Sequence, residues 1–211
     1  MTEEIKIRAF QKQDIPYLEE IIRKTWNYDR FASEKTAKRL AKVFLASCLT
    51  NQTFIRVAAL GERSVGVIMA KDSKSHRCPL GYRLRQIWQI FRLMITKEGR
   101  QVSSIFRSVN DIDQILLQER KKAYQGELAF FAIGEECRGK GIGAKLFAEV
   151  REYMRQQGVE NYYLYTDTSC NFGFYEHMGM QRCGEKKKTF EILGQQAEMQ
   201  FYLYEDTPAQ A

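Results

Sequence analysis

Three prolines in 211 residues leave little scope for long disordered or proline-stiffened linkers. The five cysteines (Cys48, Cys78, Cys137, Cys170 and Cys183) are scattered and form no C-x-x-C pair, so free thiols are expected and not a disulfide framework. His76 and His177 lie too far apart in sequence to suggest a metal motif, and no metal is expected. No window approaches the roughly 18 apolar residues of a membrane span. The opening "MTEEIKIRAF" lacks the basic-then-apolar order of a signal peptide. The expectation is a soluble, cytoplasmic chain with no membrane partner. There is also no G-x-x-x-x-G-K-[ST] phosphate loop and no G-x-G-x-x-G dinucleotide turn.

What is present is enough apolar material for a substantial core: 44% of the residues are hydrophobic and 12% aromatic. Alternation in "IKIRAF" predicts a strand, and Asp14 with Pro16 opens a helix whose Ile15, Leu18, Ile21, Ile22 and Trp26 share one face. Ser33 can cap a second helix to about Ser47. "TFIRVAAL" and "SVGVIMAK" around "GER" predict an antiparallel hairpin. From about residue 72 to 125 the pattern becomes helical. A stripe of Leu84, Ile87, Trp88, Phe91 and Met94 or Ile95 predicts one helix. "VNDIDQILLQERKKAYQ" predicts another, capped near Asn110, with "KEGRQVSSIFRS" ambiguous between them.

The unalternating "ELAFFAI" then reads as a strand buried on both faces. A glycine-rich turn, a helix from Ile142 to Gln157, the strand "YYLYT", a short helix "NFGFYEHMG", and the strands "KKTFEIL" and "EMQFYLYE" complete the chain. The order describes an α/β (α+β) sheet protein, a single domain over residues 1–211 interrupted by a helical insertion. Charge is concentrated in that insertion. Ser73 to Gln125 holds 11 Lys/Arg and 4 Asp/Glu, whereas the rest balances 22 against 22, so the net +7 belongs to this segment.

The turn "EECRGKGIGAKLF" places Gly139, Gly141 and Gly143 where a buried strand gives way to a helix. Unpaired N–H groups and the positive dipole end of the first helical turn, without side chains in the way and with Arg138 and Lys140 at the rim, suit a phosphate or pyrophosphate. "RGKGIG", Arg138 to Gly143, satisfies the pattern [RQ]-x-x-G-x-[GA], and "FYEHMGM", Phe174 to Met180, resembles F-Y-x-x-x-G-F. Through these two motifs and the strand order, the chain resembles the GNAT superfamily of N-acetyltransferases over about three quarters of its length. Glu135 stands where the family's lead-in usually has proline.

The resemblance implies a mixed, mostly antiparallel, six- to seven-stranded sheet flanked by helices, with the insertion between strands 3 and 4. It implies that Arg138, Gly139, Lys140, Gly141, Ile142 and Gly143 hold the pyrophosphate of acetyl-CoA, and that Phe131, Ala132 and Ile133 pair with its pantetheine arm. Tyr175 would be the acid that protonates the leaving thiolate. Glu127 is the first candidate base and Asp167 the second. Asn171 is a candidate coenzyme contact, although it precedes Tyr175 by four residues where the family has seven; helix capping is its other reading. Cys137 and Cys170 lack an activating neighbour, so direct transfer is expected over a covalent cysteine intermediate. His177 reads as a helix-surface residue.

The acceptor implied is a primary amine on a small molecule or peptide. The competing function is a non-catalytic acyl-CoA-binding module of the same fold. For the insertion, a helical cover with a solvated basic face is expected. Its Trp88 and Phe91 stripe would pack on the core or form a homodimer contact. Nucleic acid is not an expected partner, because the aromatics sit on the apolar stripe and do not alternate with exposed cations.

Overall fold

The computed structural model describes residues 4–192 and 195–208. Residues 1–3 of the N-terminal stretch and Leu193 of the expected "KKTFEIL" strand lie outside these. The alternating segments form β1 (Ile5–Ala9), β2 (Phe54–Leu60) and β3 (Arg63–Asp72), with Gly61 at φ 57° turning the β2–β3 hairpin. Two helices intervene before β2. α1 (Ile15–Thr25) follows Asp14 and holds Pro16 in its first turn, and α2 (Glu34–Thr50) is capped by Ser33, whose Oγ accepts from Thr36 N at 3.4 Å. α2 runs to Thr50, one turn past the expected end, because Ala46, Cys48 and Leu49 continue its buried face.

The insertion forms α3 (Leu80–Met94) and α4 (Lys97–Arg120). α4 begins a dozen residues before the expected cap at Asn110. Thr96 is the cap, its Oγ1 accepting from Gly99 N at 3.1 Å, and the ambiguous "KEGRQVSSIFRS" is helical throughout. The chain continues through β4 (Gly126–Ile133), α5 (Ile142–Gln156), β5 (Tyr162–Asp167), α6 (Gly173–His177), β6 (Gln181–Ile192) and β7 (Gln195–Asp206). The strands make one seven-stranded sheet in the order β1-β2-β3-β4-β5-β7-β6, antiparallel except between β4 and β5. This is the mixed, mostly antiparallel architecture expected, with the insertion between β3 and β4.

Three apolar clusters follow from the layering. α1 and α2 cover one face of β2, β3 and β4 through Leu18, Ile22, Leu45, Val67, Met69 and Phe130. α5 covers the other face through Leu146, Phe147, Val150 and Met154, against Ile68, Leu128 and Leu164. α4 spans two clusters. Its Val102 and Phe106 pack with α1 and α2, while Ile112 and Leu116 pack on Phe201 and Leu203 of β7. The helix thus lies across the seam between the two halves of the sheet.

β4 differs from the expected strand buried on both faces. Gly126, Leu128, Phe130 and Ala132 are buried, but Glu127, Ala129, Phe131 and Ile133 are only half-buried. The reason lies in its pairing. β4 meets β5 only at Gly126↔Tyr162 and Glu127↔Tyr163. Its register with β3 slips immediately afterwards, Met69 facing Phe130 and Ala70 facing Leu128, so Ala129 is a bulge. A bulge bends its strand and increases local twist, and here it coincides with the point where β4 parts from β5.

Candidate functional site

The three glycines of the turn after β4 sit in two different backbone environments. Gly139 (φ 74°) and Gly141 (φ 72°) are left-handed, and a Cβ at either would meet nothing within 4 Å. Glycine is favoured there by backbone conformation, not by crowding. Gly143 differs, because a Cβ would lie 3.0 Å from the Phe174 ring and 3.3 Å from Ile133 Cδ1. That close approach locks α5 onto β4 and α6. The first backbone hydrogen bond into α5 is Lys145 N to Gly141 O at 3.2 Å. Among the described residues, the N–H groups of Gly139, Lys140, Gly141, Ile142, Gly143 and Ala144 have no acceptor. Six successive free donors at the positive end of a 15-residue helix make a concavity, here called the cradle, whose chemistry suits an anion. Arg138 folds back, its Nε donating to Ile133 O at 3.2 Å.

The edge that β5 leaves open leads from this cradle along β4. Gly134 N–H donates to Val65 O on the β3 side at 2.8 Å. Strand alternation therefore turns the N–H and C=O of Phe131 and Ile133 the other way, toward the vacated edge, and those of Ala132 toward β3. The Phe131 side chain packs on Phe174 (5.3 Å between ring centroids) and Tyr175 (6.4 Å). Tyr175 is further held by Phe174 at 5.6 Å and Tyr204 at 5.9 Å, so its ring flanks the strand edge. Burial pushes the Tyr175 phenol well above the usual tyrosine range. Its hydroxyl has no hydrogen-bond partner among the described residues.

The other candidates separate. Asn171 is exposed and does not cap α6: Phe172 is the cap residue, and only the Asn171 carbonyl is used, accepting from Phe174 N at 3.2 Å. His177 is on the surface at the end of α6. Cys137 is buried, and the Cys170 thiol is pushed up by burial and by Asp167, which keeps it protonated. Asp167 shapes the turn after β5, its Oδ1 accepting from Ser169 N at 2.7 Å and Ser169 Oγ at 2.5 Å.

Glu127 lies at the far end of β4 from the cradle and is closely held. Lys71 Nζ, from the facing position on β3, is 2.6 Å away, Asn51 Nδ2 donates at 3.1 and 3.2 Å, and Tyr163 Oη donates at 3.3 Å. Asp113 of α4 faces the same region, and the sequence reading overlooked it. Burial, then the charges of Asp167 and Glu127, push its carboxyl up to about 7. Tyr165 Oη, beside Tyr163 (5.2 Å between ring centroids), is buried without a partner among the described residues. The seam between the two halves of the sheet thus gathers carboxyl and phenol groups from β4, β5 and α4. Among the described residues no group of His, Cys, Asp and Glu could hold a metal ion.

Solved structures resemble this arrangement across the whole chain. SsHAT is 13% identical with a TM-score of 0.64, covering 97% of this chain and 98% of its own. An N-acetyltransferase from Staphylococcus aureus Mu50 is 12% identical with a TM-score of 0.58, covering 97% and 99%. The ribosomal-protein-alanine N-acetyltransferase of Brucella melitensis is 16% identical with a TM-score of 0.56, covering 96% and 99%. At such identities the likeness shows the fold alone. No curated protein sequence matches the chain. The model of the acetyltransferase (GNAT) family does match, over residues 16–180, and that span holds the cradle, the open edge of β4 and Tyr175. The chain belongs to the GNAT acetyltransferase family.

Proposed function

We propose that this protein is an acetyl-CoA-dependent N-acetyltransferase acting by direct transfer on a primary amine of a small molecule or peptide. The whole chain would act as one domain around its insertion. The observation that carries this reading is the run of six unpartnered N–H groups from Gly139 to Ala144, which suits a diphosphate. Acetyl-CoA supplies an acetyl thioester: an N–C bond forms, the C–S bond breaks, and one proton leaves the amine while one reaches the sulfur.

In this reading the cradle binds the diphosphate, and the outward amides of Phe131 and Ile133 orient the extended arm along the edge β5 has left. One of those N–H groups would also steady the carbonyl oxygen as charge develops on it. Tyr175 Oη holds the proton destined for sulfur, and burial keeps that proton in place at neutral pH. On the acceptor side, Glu127 and Asp113 provide negative charge that would draw in an ammonium group. Asp113, titrating near 7, suits the proton-accepting role better than Glu127, which four short contacts already engage. The five free cysteines are in keeping with a reducing, cytoplasmic setting.

Calorimetry with acetyl-CoA tests the cradle. Gly141→Asp adds an anion where there is open space, at a left-handed position that aspartate tolerates better than most side chains, so in a variant whose circular-dichroism spectrum matches the parent's, affinity should fall about tenfold or more. Unchanged affinity in this variant would remove the diphosphate from the cradle and overturn the reading. An amine panel, scored by release of free thiol, then identifies the acceptor.

A further inference from the structure

α3 faces the wrong way for a core helix. Its apolar stripe points to solvent: Leu80 is 72% exposed, Leu84 58%, Ile87 56%, Trp88 57%, Phe91 55% and Ile95, just past its end, 56%. The face it turns inward is anchored largely by polar contacts. Arg85 pairs with Glu19 of α1 at 3.1 Å, and Gln86 Nε2 donates to Ser47 Oγ of α2 at 3.1 Å, with Tyr82 and Leu93 packed beside them. Of the two expectations for Trp88 and Phe91, core packing or a homodimer contact, the first therefore fails. They stack on each other instead, with ring centroids 5.9 Å apart. A contiguous apolar surface of this kind marks an interaction site.

Charge narrows the partner. Between Ser73 and Lys97 there are six Lys or Arg and no Asp or Glu. Only Arg85 of the six is in an ion pair among the described residues, which leaves Lys74, Arg77, Arg83, Arg92 and Lys97 unneutralised. At 3.6 residues per turn, Arg83 and Arg92 fall about 90° to either side of the stripe's centre. The surface is thus an apolar band with two aromatic rings within it, bordered on both sides by cations.

We propose that α3 docks this protein on an anionic lipid surface, lying in the interfacial plane with Leu84, Trp88 and Phe91 among the acyl chains and the flanking arginines at the headgroups. The sequence reading gives a membrane no part; the outward stripe is what changes that. A second copy of the chain fits less well, because a two-fold contact through α3 brings like-charged rows together with no acid in the segment to offset them. Nucleic acid would satisfy the cations but leave the stripe in water. Among the described residues no helix is long and apolar enough to cross a membrane, so the contact is peripheral.

Vesicle flotation tests this with the full chain. The protein is expected to float with vesicles of phosphatidylcholine mixed with phosphatidylglycerol. Binding should be about tenfold weaker, or less, on phosphatidylcholine alone or in high salt. Leu84→Asn/Trp88→Asn/Phe91→Asn alters only exposed side chains and should abolish flotation with the circular-dichroism spectrum unchanged. Arg83→Gln/Arg92→Gln should weaken flotation about thirtyfold, since each of the two surface cations contributes about 1 kcal/mol. Failure to float with the anionic vesicles, or equal binding to both lipids, would overturn the proposal. So would a concentration-dependent dimer in light scattering that the triple variant dissolves while the parent ignores vesicles, which would assign the stripe to a second copy.

Discussion

Asp113 shares a helical face with Val109, Ile112 and Leu116, a carboxyl group set into an apolar stripe that packs on β7. Burial and the neighbouring Asp167 and Glu127 carry it from 3.8 to about 7, so between those pH values the folded chain keeps a proton that the unfolded chain has released. The folded state then binds more protons, and stability falls as pH rises through that window. Asp113→Asn should therefore be more stable than the parent at pH 8, by on the order of 2–4 kcal/mol, with the difference shrinking toward pH 4. Urea denaturation at both pH values measures this, and a gap independent of pH would mean the carboxyl titrates normally. At Tyr175, substitution by Phe keeps the ring against Phe131, Phe174 and Tyr204 and removes only the proton. Turnover is expected to drop by roughly 100-fold while acetyl-CoA affinity in calorimetry holds. Equal turnover would assign the phenol to packing.

Individual elements were legible to different degrees, and the differences have local causes. β1 and the helices α1, α2 and α5 carry clean periodicity, with Pro16 in the first turn of α1 and Ser33 capping α2. The first half of α4 was obscured because Gly99, Arg100 and two serines dilute its stripe, although Val102, Ile105, Phe106 and Val109 keep helical spacing. Gly99 reads as a helix breaker but has a packing reason. A Cβ there would lie 2.1 Å from Leu93 O and 2.7 Å from Thr96 Oγ1, where the α3–α4 corner folds back on itself. The corner is tied down by Glu98, which accepts from Ser33 N and Ser33 Oγ at 2.6 Å each and from Thr36 Oγ1 at 2.5 Å. Gly99→Ala is expected to lower stability by about 1–3 kcal/mol, read as a reduced denaturant midpoint with an unchanged slope. An unshifted midpoint would show that the corner relaxes freely.

Across the molecule, what the sequence disclosed tracks how local each feature is. The cradle is a continuous six-residue stretch whose glycines, cations and following helix can be read together. The proposed acceptor side draws Asn51, Lys71, Asp113, Glu127 and Tyr163 from separate parts of the chain, and only the closed sheet brings them near one another. The direction of the α3 stripe was likewise hidden, since spacing reveals a face but not what it meets. One consequence of the pairing remains. The half-sheets on either side of the seam share two residue pairs, Gly126↔Tyr162 and Glu127↔Tyr163, with α4 laid across as a brace. A molecule threaded along the vacated edge would stitch those halves together rung by rung. The loaded protein should then be the stiffer one, and release of the spent thiol should let the seam loosen again.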